Sequence, residues 1–287
     1  MPELPEVEVV KRSLQKNIKN LTIKKVEIKD NKLRYRIKKK KIELTVNKKI
    51  INIKRRSKYL IIELSGGISI IVHFGMTGKF FLSNKKKIKK TSFYYELKDH
   101  LSKHNHLVFT LNKKIELIYN DVRKFGFIKI VLTKHINMSS HIKFLGPEPL
   151  SSNYNYIYFK KNIINKKTTV KDTLMNQKFV SGLGNIYVNE ILFKSKVIPT
   201  KKIQLVKNNE ILKIIKNTKK ILKLAIKKGG SSIKDFRNSE GKLGKFQDKF
   251  KVYGRTGMKC MNIDCTGVVK KMILNNRSTF FCNICQK

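Results

Sequence analysis

"INIKRRSKYLIIELSGGISIIVHF" (residues 51–74) decides the first half of the fold. Two apolar, β-branched runs, "YLIIEL" (59–64) and "ISIIV" (68–72), meet at Gly66-Gly67, a pair free to turn the chain back on itself. "INIKRR" reads as a third strand ahead of them. Downstream come "HLVFTL" (106–111), a polar Asn-Lys-Lys turn, "IELIY" (115–119) and "FGFIKIVL" (125–132). Hairpins repeated from about 20 to 133 with no intervening helix predict an antiparallel sandwich or barrel. Ahead of them, Val7, Val10, Leu14 and Ile18 recur at helical spacing and predict one amphipathic helix at about 3–17.

The stretch 134–152, ending in "FLGPEPLSS", has the Pro, Gly and Ser of a domain boundary. Beyond it the period is helical. "TTVKDTLMNQKFV" (168–180) and "GNIYVNEILFKS" (184–195) flank "SGLG" and predict a helix–turn–helix with glycines in the turn. Residues 208–228 predict a long helix with Asn208 as N-cap, Ile211, Ile215, Leu222 and Ile226 inward, and Gly229 as the stop. A Gly-, Ser- and Lys-rich loop follows at 229–247, long enough to suggest function. The expected domains are therefore 2–133, a linker at 134–152, a helical domain at 153–250 and a cysteine-bearing hairpin at 251–287.

Composition narrows the partners. The 65 Lys and Arg against 19 Asp and Glu leave a net charge of +46 over 287 residues, which predicts a polyanionic partner. Nucleic acid is favoured over membrane, because the longest apolar runs are far too short to span a bilayer. The N-terminus lacks the basic and apolar regions of a signal peptide, so a cytoplasmic protein is expected and its four cysteines are not expected to pair as disulfides.

Those cysteines fall as Cys260-x4-Cys265-x16-Cys282-x2-Cys285. Two close pairs at this separation suit tetrahedral thiolate ligation of one Zn²⁺, and four protein ligands leave no open position, so the metal is structural. The intervening "TGVVKKMILNNRSTFF" reads as two short strands, a zinc-clamped hairpin. In "SGLGNIYVNE" (181–190) backbone N–H groups at the helix start can hold a phosphate, with Asn185 as a further donor; close helix packing is the plainer alternative. Lys58 suits a solvated strand end. "NDVRKFG" (120–126) alternates cations with Phe125, a residue that can wedge into a base stack or sit in the core. Met76 in "HFGMTG" suits core filling, and His104 and His106 suit phosphate contact or strand capping rather than metal ligation.

"MPELPEVE" (1–8) starts a helix well: proline fits the first turn and Glu3 and Glu6 favour the positive end of the dipole. It also allows chemistry. Removal of Met1 leaves Pro2 with a free secondary amine of pKa near ~8, partly neutral at pH 7 where a lysine near ~10.4 is not. A neutral amine can attack a sugar carbon to give an iminium, with Glu3 beside it to move protons.

Together these pieces resemble the bacterial formamidopyrimidine-DNA glycosylase family over essentially the whole chain, through "PELPEVE", "RRSKYL", "HFGMTG", "DVRKFG", "LGPEPL", "VSGLGNIYVNE", "GGSSIKDF", "VYGRTG" and "RSTFFCNICQ". The resemblance implies an α+β fold: an N-terminal helix on an antiparallel β-sandwich, a helix–two-turn–helix domain with a zinc-bound β-hairpin, and damaged duplex DNA bound between domains by a monomer. It implies that Pro2 is the nucleophile, Glu3 the adjacent acid, Lys58 the proton donor in β-elimination and Arg277 the residue of δ-elimination. His104, Arg123 and Lys166 fall on DNA-contacting positions and Asn185 on a phosphate-binding one. Met76, Arg123 and Phe125 match residues that fill the gap left by a flipped base, and loop 229–247 the segment that closes over it. The implied activity is excision of oxidised purines followed by β,δ-elimination. Rival readings are an endonuclease VIII-type glycosylase for oxidised pyrimidines, disfavoured by Leu4, and a non-catalytic zinc DNA-binding protein. Two departures stand out: "DVRKFG" replaces the usual "DPRRFG", and the first cysteine pair is spaced x4 rather than x2.

Overall fold

The computed structural model describes residues 2–84, 87–92, 97, 100–231 and 246–287. The chain separates into two compact units, Met1–Lys143 with Lys228–Lys245, and Phe144–Lys227 with Phe246–Lys287.

The first unit begins with helix α1 (Leu4–Ile18), entered from an extended Glu3 and carrying Pro5 in its first turn, where a missing N–H is harmless. Its inner face buries Val7, Val10, Leu14 and Ile18 completely. Then follow β1 (Ile23–Ile28), the short α2 (Lys39–Glu43), β2 (Ile50–Arg56), β3 (Tyr59–Leu64), β4 (Ile68–His73), β5 (Lys79–Asn84), β6 (Lys87–Lys90), β7 (Asn105–Leu111), β8 (Ile115–Asn120) and β9 (Phe127–Leu132). They form two antiparallel sheets, one ordered β1-β7-β8-β5-β6 and the other β2-β3-β4-β9. The inward residues of both, among them Ile53, Leu60, Ile70, Phe80, Phe109 and Leu117, share one core with α1, which packs on β2 and β3. Gly66 and Gly67 close the β3–β4 hairpin with φ of +77° and +70°.

The predicted sandwich and its six legible strands are present, and among the described residues three more strands join them. β1 escaped because "IKKVEI" places lysines at exposed positions; β5 is a continuous buried run, ambiguous between strand and helix; β6 is mostly lysine. α2 is likewise hidden in a lysine run that buries only Ile42.

The second unit carries α3 (Tyr156–Lys161), α4 (Val170–Met175), α5 (Asn185–Ser195), α6 (Asn208–Lys227) and the hairpin β10 (Val269–Leu274) and β11 (Arg277–Cys282). Thr169 caps α4 by accepting the Asp172 N–H at 3.1 Å. α5 packs on α4, α6 and β11, so it is buried on almost every side. Asn208 is not the N-cap expected of it: it is already helical, and Glu210 reaches back to accept the Lys207 N–H at 2.7 Å while Asn208 Oδ1 accepts from Lys160 Nζ at 3.0 Å. Gly229 ends the helix as expected, at φ +82°. Among the described residues no helix is long and apolar enough to cross a membrane.

Candidate active site and metal centre

Pro2 and Glu3 are both buried at the head of α1. The Glu3 N–H donates to Glu6 Oε2 at 2.9 Å, while Glu6 Oε1 accepts the Ser231 N–H at 2.7 Å and its hydroxyl at 3.0 Å. Glu6 is 1% exposed, so this carboxylate is fixed by its donors rather than by water. Gly230 is at φ +83°, and a Cβ there would lie 2.9 Å from Glu6 Oε1; only glycine lets the chain come this close. The Glu6 role was not legible beyond a favourable helix charge, because its partners lie 225 positions downstream. Of loop 229–247, residues 232–245, and with them the closing segment expected there, lie outside the described residues.

Lys58 is 6% exposed and follows Ser57, a buried serine with left-handed backbone at φ +57°. The turn is held from α1. Glu8 accepts from Arg55 Nε at 3.0 Å, and Arg55 Nη1 donates to the Ser57 carbonyl at 2.9 Å. Although burial opposes it, hydrogen bonds from Arg12 and Lys11 and the Arg55 charge lower the Glu8 pKa overall. Lys58 is thus part of a buried turn rather than a solvated strand end. Its charge bears on His73, whose pKa is lowered to about 4, first by burial and then by Lys58, Arg34 and His141. His73 is therefore neutral at pH 7, and its Nδ1 accepts the Gly75 N–H at 3.1 Å.

Met76, Arg123 and Phe125 come together on two turns, all exposed, with the Arg123 guanidinium 4.7 Å from the Phe125 ring centroid. At 43% and 47% exposed, Met76 and Phe125 are not core residues. Lys124 takes left-handed backbone at φ +58° and donates to Asp30 at 2.7 Å, so the departure from arginine is met by an ion pair. His104 is half-buried just ahead of β7, and its carbonyl accepts the Asp121 N–H at 3.0 Å. His106 is buried with its ring nitrogens 3.2 and 3.0 Å from the carbonyls of Asp30 and Asp121.

In the second unit, Arg277 opens β11 and is exposed at the tip of the hairpin, across an Asn275-Asn276 turn with φ of +46° and +58°. Three side chains brace this tip. Asn185 Nδ2 donates to the Ser278 carbonyl at 2.9 Å, and Asn189 Oδ1 accepts the Phe280 N–H at 2.8 Å. Lys171 Nζ donates to Thr279 Oγ1 at 2.7 Å and to Ser278 O at 3.3 Å. Lys171 is 1% exposed; burial brings its pKa down to about 8, with Arg277 lowering and Asp172 raising it. Nothing local in the sequence marks Lys171, since an adjacent Lys-Asp pair on a short helix looks solvated. Lys166 stands apart from this brace, its ammonium 4.8 Å from the Phe179 ring and its pKa lowered by desolvation.

The four cysteine sulfurs all lie within 4.8 Å of one another, with Cys260–Cys285 and Cys265–Cys282 each 3.7 Å apart. Sulfurs ~2.3 Å from a tetrahedral zinc stand ~3.8 Å from each other, and a disulfide would need ~2.05 Å. The donor set therefore fits one structural Zn²⁺ and not a disulfide. Asn262 supplies outer support, donating its N–H to Cys260 Sγ at 3.5 Å and its Nδ2 to Cys285 Sγ at 3.1 Å. Glu190 on α5, its pKa raised by burial, anchors the approach to this module by accepting the N–H groups of Lys251, Val252 and Tyr253 at 2.9 to 3.1 Å.

Residues 1–128 match the formamidopyrimidine-DNA glycosylase N-terminal domain and residues 145–237 the formamidopyrimidine-DNA glycosylase H2TH domain. A formamidopyrimidine-DNA glycosylase of Rickettsia bellii is 40% identical over the full length of both chains, and one of a Ruegeria species is 33% identical, again over the full length of both. The Lactococcus lactis enzyme, solved in complex with DNA containing an abasic site, superposes with a TM-score of 0.85 at 34% identity, covering 99% of each chain. The same enzyme solved with DNA containing N7-benzyl-Fapy-dG gives 0.85 at 34% identity over all of both chains. On family models, full-length relatives and solved structures alike, the chain belongs to the formamidopyrimidine-DNA glycosylase family.

Proposed function

We propose that this chain is a bifunctional DNA glycosylase and abasic-site lyase of base-excision repair, acting as a single cytoplasmic chain on duplex DNA that carries an oxidised purine such as 8-oxoguanine or a formamidopyrimidine. The observation that carries the reading is the buried head of α1, where Glu6 accepts the Glu3 N–H at 2.9 Å and fixes the backbone next to Pro2. An amine held this way meets a sugar carbon at high effective concentration.

Once Met1 is removed, the neutral Pro2 nitrogen attacks C1′ and the damaged base leaves with the glycosidic electron pair, taking a proton. Glu3 moves protons at the sugar as the ring opens and the iminium forms. The iminium acidifies C2′; loss of a C2′ proton expels the 3′ phosphate with a proton supplied by Lys58. Loss of a second proton then expels the 5′ phosphate, with Arg277 serving that δ-elimination. His104, Arg123, Lys166 and Asn185 grip phosphates, in keeping with the +46 charge, and Met76, Arg123 and Phe125 occupy the space of the extruded nucleotide. A zinc ion held by Cys260, Cys265, Cys282 and Cys285 supplies no chemistry; it keeps the Arg277 hairpin folded.

Borohydride trapping on an 8-oxoguanine duplex tests this reading. Wild type is expected to cross-link and to nick the strand on both sides of the lesion, and Pro2→Gly to do neither. Equal cross-linking by both removes Pro2 as the nucleophile. Preferential nicking of an oxidised-pyrimidine duplex transfers the chain to the endonuclease VIII activity, and retarded DNA without a cut makes it a binding module.

A further inference from the structure

We infer that Asp121 and Thr77 are positioning residues that lock the Met76 turn and the Arg123–Phe125 turn into one preformed wedge, so that the three exposed side chains enter a base stack as a single rigid body. This rests on the proposed glycosylase reading and goes beyond it, because the two side chains bond each other and backbone N–H groups of the turns.

The chemistry of the joint is specific. Asp121 is fully buried at the end of β8. Its Oδ1 accepts from the Thr77 hydroxyl and its Oδ2 accepts the Gly126 N–H at 2.8 Å. The Thr77 oxygen in turn accepts the Arg123 N–H at 3.0 Å. One carboxylate and one hydroxyl thus tie together the residue after Met76, the backbone of Arg123 and the residue after Phe125. A carboxylate that receives an O–H and an N–H is rigidly oriented, and the shared hydroxyl can satisfy both contacts only in one rotamer.

Steric fit closes the same joint. A Cβ on Gly75 would lie 2.4 Å from the Phe125 carbonyl carbon, one on Gly126 1.9 Å from Tyr119 Oη, and one on Gly78 2.5 Å from the same hydroxyl. The two turns are therefore in backbone contact, and Tyr119, fully buried, fills the space beneath them. His73 and His106 hold the edges, one accepting the Gly75 N–H at 3.1 Å and the other 3.0 Å from the Asp121 carbonyl. Above this buried base stand Met76 and Phe125, nearly half-exposed, with Arg123 laid over the Phe125 ring. Large apolar groups on an exposed turn are ordinarily mobile. Here their backbones are fixed before DNA arrives, so insertion orders little beyond side-chain rotamers.

Thr77→Val keeps the side-chain shape and removes the hydroxyl, and Thr77→Ser restores it. Each full-length variant is assayed on an 8-oxoguanine duplex and on a single-stranded oligonucleotide with a preformed abasic site, which has no stack to open. The expected result for Thr77→Val is a fall of about tenfold in duplex excision with the single-strand lyase rate within about twofold of wild type, and recovery in Thr77→Ser. A double-mutant cycle with Phe125→Ala is expected to be strongly non-additive, since the hydroxyl acts through the wedge. The inference is overturned if Thr77→Val excises from duplex at the wild-type rate, if both substrates are lost equally, or if the two substitutions add. Should Thr77→Val not fold, Thr77→Ala carries the same comparison. Failure of the wild type on every substrate would instead remove the glycosylase reading itself.

Discussion

Replacing Lys171 by methionine asks whether a buried ammonium holds the Arg277 hairpin. The substitution preserves the length and packing of the stem while removing the charge. Burial brings this amine from an ordinary 10.5 down to about 8 in the folded chain, so the unfolded chain binds more protons between those values. Its contribution to stability is fully present above the unfolded value and is lost as pH falls through about 8. At ~1.4 kcal/mol per unit of pKa, the stability of wild type relative to Lys171→Met rises by roughly 2 kcal/mol between about pH 7.5 and 10. Urea unfolding of both proteins at the two pH values, followed by far-UV circular dichroism, gives that difference directly. The remaining lysines titrate in both proteins and cancel. Parallel stability curves would refute the reasoning, because they would mean that the amine keeps its ordinary affinity for protons despite being 1% exposed. At neutral pH the same variant releases Thr279 Oγ1, leaving Ser278 O to Asn185 alone, so the δ-cleaved product is expected to fall relative to the β-cleaved one.

Two other outcomes are expected. Glu6→Gln sets an amide N–H against either the Glu3 N–H or the Ser231 donors; a loss of about 1–3 kcal/mol, seen as borohydride trapping slower by roughly 5- to 150-fold, is the predicted result, and an unchanged trapping rate would show that the carboxylate does not hold the amine. Chelation, or Cys282→Ser, is expected to take the metal content from one zinc per chain to none and to open the segment from Met258 onward to limited proteolysis, structural zinc contributing ~10 kcal/mol or more; protection that survives metal loss would mean the fold of the module does not depend on it.

Most of the architecture was legible because period and punctuation agree in this chain. The Gly66-Gly67 hairpin, the 3.6-residue repeat of α1 and the paired cysteines are local signals, and each is realised within a few residues of where it is written. What resisted reading was either masked by composition or non-local. A lysine-rich chain hides α2, β1 and β6, because the residue that marks a solvated face also fills loops and edges. The candidate site divides the same way. Pro2, Glu3, Lys58 and Arg277 stand out by motif, whereas the groups that orient them do so across 47, 107 or 225 positions, as Arg55 to Glu8, Lys171 to Ser278 and Ser231 to Glu6. Asp121 lies in the same motif as Arg123 and Phe125, but its side-chain partner Thr77 is 44 positions away, so nothing local marks the carboxylate as the tie between two turns.

The bond from Ser231 to Glu6 also bears on how far the chain can be divided. The first unit is assembled from two separate stretches of sequence, so a fragment ending at residue 143 would contain all the described strands of the sandwich and the Glu3 N–H, yet lack both Ser231 donors to a carboxylate that is 1% exposed. Such a fragment would be a scaffold with its working end unfinished. The two units of this chain are thus interleaved along the sequence rather than strung end to end, and transplanting residues 1–143 alone into another protein would leave behind Ser231.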